Sequence, residues 1–78
     1  MAELEVQLVG PIRRPQGKRR LGLTVREGCT VEEVLREVGF RDREIHAILV
    51  AVNGARVRND HSLSDGDRVE LMMRLGGG

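Results

Sequence analysis

The sequence has no tryptophan and no tyrosine, and Phe40 is its single aromatic residue. The stacking platforms on which single-stranded nucleic acids lie are therefore missing. Cys29 is the only cysteine, so neither an intramolecular disulfide nor a paired-cysteine metal knuckle can form. No apolar run approaches the roughly 20 residues that cross a bilayer as a helix. The opening residues Met1-Ala2-Glu3-Leu4-Glu5 have neither the basic nor the apolar stretch of a secretory signal, and a cytoplasmic protein is expected. An excess of one charge is also absent: 13 basic side chains face 12 acidic ones, a formal net charge of +1. That balance argues against a disordered polyelectrolyte and against a protein that grips nucleic acid through overall charge. No set of nucleophile, base and orienting group is visible, so a stand-alone enzyme is not expected.

The 78 residues, 40% of them hydrophobic, suffice for one small core with little room for a deep cleft. Leu4-Glu5-Val6-Gln7-Leu8 alternates apolar and polar residues, the period of a strand with one buried face. Gly10, Pro11, Pro15 and Gly17 mark a loop, after which Leu21, Leu23 and Val25 alternate again, giving a hairpin. The period then changes. Thr30 and Glu33 have the spacing of a capping box, and Cys29 and Val34 that of a hydrophobic staple. Val31, Val34, Leu35 and Val38 form a helical stripe, and Gly39 suits a left-handed helix end. Residues 40–46 are ambiguous in pattern, a short helical turn being one reading. Ile48, Val50 and Val52 share one face of a strand, and Asn53-Gly54 turns it into a short return strand over residues 55–58. Residues 59–66 form a polar loop with Leu63 as its anchor. Val69, Leu71 and Met73 alternate with Glu70, Met72 and Arg74 in a last strand.

The order β-β-α-β-β-β predicts an α+β fold of the β-grasp, ubiquitin-like kind: a mixed sheet with one helix across one face. The first and last strands are expected to pair in its centre. The domain takes residues 1–75, and residues 76–78 are a flexible glycine tail. If Val50, Val52, Leu71 and Met73 point inward, Ala51 and Met72 point outward, with Leu49 unassigned. They make a small exposed apolar patch near the tail, and such patches mark partner surfaces. Met72, Arg74, Leu75 and Ala51 are the expected partner contacts.

Other chemistry is sparse. Cys29 reads as a buried staple residue. His46 and His61 do not have ligand-pair spacing, and Asp65-Gly66-Asp67 reads as a turn with too few oxygens for a cation, so no metal is expected. Arg13, Arg14, Lys18, Arg19 and Arg20 hold five of the thirteen cations. They read as a solvated loop or as a surface that steers an acidic partner or RNA. Gly76, Gly77 and Gly78 lack side chains, so a tail made of them can enter a narrow channel. Its end carries one reactive group, the Gly78 α-carboxylate, unless the tail is only a frayed terminus or a cloning remnant.

Val50-Ala51-Val52-Asn53-Gly54, Leu63-Ser64-Asp65-Gly66-Asp67-Arg68-Val69-Glu70 and the terminal glycines together resemble the ubiquitin-like sulfur carriers. This is the MoaD/ThiS family: the small subunit of molybdopterin synthase and the sulfur carrier of thiamine thiazole synthesis. The resemblance covers nearly the whole chain. It implies that an E1-like enzyme uses ATP to adenylate Gly78, which becomes a thiocarboxylate. Gly77 matches the other glycine of the pair, and Gly76 is an extra one. The implied partners are that enzyme, a sulfurtransferase or sulfur donor, and an acceptor synthase subunit. No bound cofactor and no membrane partner are expected. The run Val6 to Arg13 with its long loop is more similar to the molybdopterin type. Met72-Met73-Arg74-Leu75 lacks the prolines common there, so the pathway stays open. A ubiquitin-like protein modifier would use the same activated terminus, and a β-grasp interaction or RNA-binding module would not use it.

Overall fold

A computed structural model describes residues 1–74. The chain forms β1 (Ala2–Val9), β2 (Arg20–Val25), α1 (Val31–Val38), α2 (Asp42–Ile45), β3 (Ile48–Val52), β4 (Ala55–Val57) and β5 (Arg68–Met73). The five strands make one sheet in the order β2-β1-β5-β3-β4. β1 and β5 pair in parallel, in the register Val6↔Val69 and Leu8↔Leu71, and every other pair is antiparallel. This is the expected α+β β-grasp arrangement, with the first and last strands side by side. Asn53 (φ 51°) and Gly54 (φ 87°) close the β3–β4 hairpin in left-handed conformations, as their sequence signal requires.

α1 begins where the sequence places it. The Thr30 Oγ1 accepts from the Glu33 N–H at 3.3 Å, and Glu33 Oε1 accepts from the Thr30 N–H at 3.2 Å. Two otherwise unpaired helix-start donors are thereby satisfied. Val31, Val34, Leu35 and Val38 are buried on the sheet. There they meet the inward side chains of β1, β3 and β5, including Val6, Leu8, Val50, Val69 and Leu71. No polar or charged residue is buried among the described residues. Cohesion is therefore almost wholly apolar burial, at roughly 25 cal/mol per Å².

The long β1–β2 loop is more ordered than a solvated loop. Ile12 is buried in the core. Arg13 forms a bidentate pair with Glu44 on α2, both contacts at 2.7 Å, and donates to the Gly39 carbonyl at 3.1 Å. Its guanidinium lies 5.7 Å from the centre of the Phe40 ring. Gln16 Nε2 donates to the Val38 carbonyl at 3.2 Å. The loop is thus strapped over the end of α1. Residues 40–46 contain the short α2, which buries Ile45.

Two predictions follow from this strap. Gly39 has φ +118°, and a Cβ there would lie 2.8 Å from the Pro15 Cβ. Gly39→Ala is expected to cost at least about 1 kcal/mol in urea unfolding; an unchanged midpoint would contradict the packing. The Arg13 hydrogen bond, aided by the Arg41 N–H, lowers the Glu44 carboxyl from its ordinary 4.5 to about 2. A carboxylate depressed in the fold stabilises it above the unfolded pKa and loses that effect on acidification. The advantage of wild type over Glu44→Gln should therefore be full near neutrality and vanish between about pH 4.5 and 2. A pH-independent difference would count against the pair.

Candidate functional site

Strand alternation places Glu3, Glu5, Gln7 and Val9 of β1 on the face away from α1. The register carries this face across the sheet. Val9 pairs with Met72, and Met72 pairs with Leu49, so three aliphatic side chains form one row over β1, β5 and β3. All three are half-buried. The next row is different: Gln7 pairs with Glu70, Glu70 with Ala51, and Ala51 with Arg56. The apolar strip is thus one row deep and lies at the end of the sheet where β5 finishes.

This geometry corrects one expectation. Ala51 is buried, at 8% exposure, and is not an exposed contact. Its methyl group stands between the long side chains of Glu70 and Arg56 and offers little surface of its own. Leu49 and Val9 take its place beside Met72. The Val9 position was readable in principle, since Glu3, Glu5 and Gln7 already set the outward phase. What placed it beside Met72 was the parallel β1–β5 register, which a single strand's pattern does not carry.

Arg74 is exposed, and its N–H donates to the Ala47 carbonyl at 2.8 Å. That bond adds one rung beyond Met73 and fixes the point where the chain leaves the sheet. Leu75, Gly76, Gly77 and Gly78 lie outside the described residues.

The remaining candidates prove structural. The Asp65 carboxylate accepts from the Glu3 N–H at 2.7 Å. Asp67 accepts from the Ser64 N–H and from Asn53 Nδ2, at 2.8 and 2.9 Å. These carboxylates tie the β5 entry turn to β1 and to the β3–β4 hairpin. Burial raises the pKa of the Cys29 thiol, the opposite of what a nucleophilic thiolate needs. No group of three metal-ligating side chains occurs among the described residues. A hollow of about 710 Å³ is an open groove beside β3 and the end of β4, with Arg56, Arg58, Arg74, His46, Glu32 and Asp60 on its walls. Its one hydroxyl hydrogen-bonded to a carboxylate, Thr30 Oγ1 donating to Glu33 Oε1 at 3.1 Å, belongs to the α1 capping box. No helix among the described residues is long and apolar enough to cross a membrane.

Solved structures share this fold. A Pyrococcus furiosus protein described as molybdopterin converting factor, subunit 1, superposes with TM-score 0.77 at 22% identity, covering 96% of this chain and all of that one. The H. volcanii small archaeal modifier protein 1 gives 0.73 at 19% identity, with 96% and 100% coverage. A chain from the complex of subunits 1 and 2 of the Helicobacter pylori molybdopterin-converting factor gives 0.64 at 21%, with 97% and 99% coverage. At such identities these likenesses speak to the fold. The sequence pattern of the ThiS family matches residues 6–78, and the chain therefore belongs to the ThiS family.

Proposed function

We propose that this chain is a sulfur carrier, a protein co-substrate rather than an enzyme. The observation that carries the reading is the end of β5. A strand held between two others stops at Met73, beside a one-row apolar strip, and the sequence continues through Arg74 and Leu75 into Gly76, Gly77 and Gly78. An anchored scaffold followed by residues without side chains suits delivery of a terminal carboxylate into a narrow pocket.

The chemistry follows from that carboxylate. A free carboxylate is a poor electrophile. In the pocket of an E1-like partner, an oxygen of the Gly78 carboxylate attacks the α-phosphorus of ATP and pyrophosphate leaves. The resulting acyl-adenylate is open to a sulfide-level nucleophile from a sulfurtransferase or sulfur donor, which expels AMP and leaves a thiocarboxylate. The sulfur then passes to a cofactor or metabolite precursor on an acceptor synthase subunit, of the molybdopterin or thiamine thiazole type: the thiocarboxylate sulfur bonds to the precursor, and water cleaves the acyl–sulfur bond and restores the Gly78 carboxylate. ATP belongs to the activating partner. The Helicobacter pylori complex of two converting-factor subunits supports a synthase partner of this kind. Val9, Met72 and Leu49 would meet these partners, with Arg74 and Leu75 leading into the tail.

Likeness to the H. volcanii modifier protein favours a second reading, in which a lysine amine takes the activated Gly78 carbonyl and forms an isopeptide bond. Protein conjugates ending in Gly78, without any thiocarboxylate form, would select it.

Two outcomes test the proposal. Deleting Gly77 and Gly78 should abolish ATP–pyrophosphate exchange by the cognate adenylating enzyme and leave the urea midpoint unchanged; exchange that survives the deletion would refute it. Met72→Glu puts a charge in the apolar strip without touching the core, and should weaken binding to that enzyme about tenfold or more at unchanged fold stability. Normal adenylation kinetics would remove Met72 from the docking surface.

A further inference from the structure

Between Glu5 and Glu27 the chain contains no carboxylate, and five of the six cationic residues there, Arg13 to Arg20, lie between β1 and the first residue of β2. The structure decides where that charge goes. β1 and β5 run parallel, with Val9 opposite Met72, so the loop after β1 and the segment after β5 leave the sheet at the same end. The strap formed by Arg13, Gln16 and Ile12 holds the loop there. Arg14, Lys18 and Arg19 remain exposed, and none has an ion-pair partner among the described residues.

Other elements bring more positive charge to this end. Arg41 and Arg43 flank a small hollow with Arg13 and Glu44. α2 leads directly to Ala47, whose carbonyl holds the Arg74 N–H. The two carboxylates of α2 are already engaged: Glu44 by Arg13 at 2.7 Å and Asp42 by Arg36 at 3.0 Å. The opposite end of the sheet has the other sign. There the Asp65 carboxylate accepts from the Glu3 N–H, and Asp67 lies in the same turn. The near-zero net charge therefore conceals a molecule with a cationic end at the root of its tail.

We propose that Arg14, Lys18, Arg19, Arg41, Arg43 and Arg74 form a cationic collar that docks on an acidic protein surface surrounding the pocket that takes the tail. This rests on the carrier reading and adds the chemistry of the partner's rim. An acidic protein is favoured over RNA on two grounds. Phe40, the only aromatic residue, is buried, so no stacking platform accompanies the charge. The collar also lies at the tail end, where a protein pocket must be met. Its role is in encounter: complementary surface charge raises association rates by about tenfold or more at low salt and is screened as salt rises.

The test is stopped-flow association of the full chain with the cognate adenylating enzyme, at low and high salt, alongside ATP–pyrophosphate exchange. Arg14→Glu/Lys18→Glu/Arg19→Glu should associate about tenfold or more slowly at low salt, converge with wild type near 1 M salt, and keep the maximal exchange rate. The three side chains make no hydrogen bond among the described residues, and a glutamine triple variant gives a milder form of the same test. Arg68→Glu, at the other end of the sheet, controls for net charge and should slow association less than Arg19→Glu. If wild type supports exchange but the collar variant keeps its association rate and salt slope, the collar is refuted and the carrier reading stands. If wild type supports no exchange and instead binds a short RNA duplex through these residues, both fall. If it does neither, both fall as well.

Discussion

The parallel pairing of β1 with β5 at the centre of the sheet is the constraint on which the other features depend. It is cemented by Val6 against Val69 and Leu8 against Leu71, four buried side chains under α1. Parallel strands begin and end together. Because of that, the β1–β2 loop, the apolar row of Val9, Met72 and Leu49, and the root of the glycine segment share one end of the molecule. Had β5 paired antiparallel to β1, the basic loop and the tail root would lie at opposite ends. The same core side chains thus do two things. Their burial holds a small domain together with no buried polar or charged residue among the described ones, and their register gathers the surface that a partner would meet.

Much of this was legible in the sequence because the signals are local. The capping box of Thr30 and Glu33, the stripe from Val31 to Val38 and the Asn53-Gly54 turn each specify an element within a few residues, and each is found where expected. The assignments that changed depend on contacts between distant segments. Ile12 lies in a loop of glycines, prolines and cations, and only its neighbours in space make it a core residue. Ala51 has the outward phase the alternation gave it, yet phase does not measure exposure when Glu70 and Arg56 stand beside a methyl group. Val9 belongs beside Met72 through a pairing between residues more than sixty positions apart. The alternation pattern of a single strand contains no such information.

Charge shows the same division between composition and placement. Thirteen cations against twelve acids suggest electrostatic neutrality. The fold pairs some of them and leaves others free at one end, using Arg13 to fasten the loop to Glu44 and leaving Arg14, Lys18 and Arg19 exposed. The bidentate Arg13–Glu44 pair also has a positional effect, since it fixes the backbone from which Arg14, Lys18 and Arg19 project.

A carrier of this kind leaves one chemical trace that the unmodified polypeptide cannot imitate. Cys29 is the only cysteine, so Cys29→Ala produces a chain without a thiol. That variant, isolated from the native host and treated with a thiol-alkylating reagent, should be alkylated at Gly78, located by fragmentation of the C-terminal peptide. A chain that stays unalkylated there, in cells with an active adenylating enzyme and a sulfur source, would contradict the account.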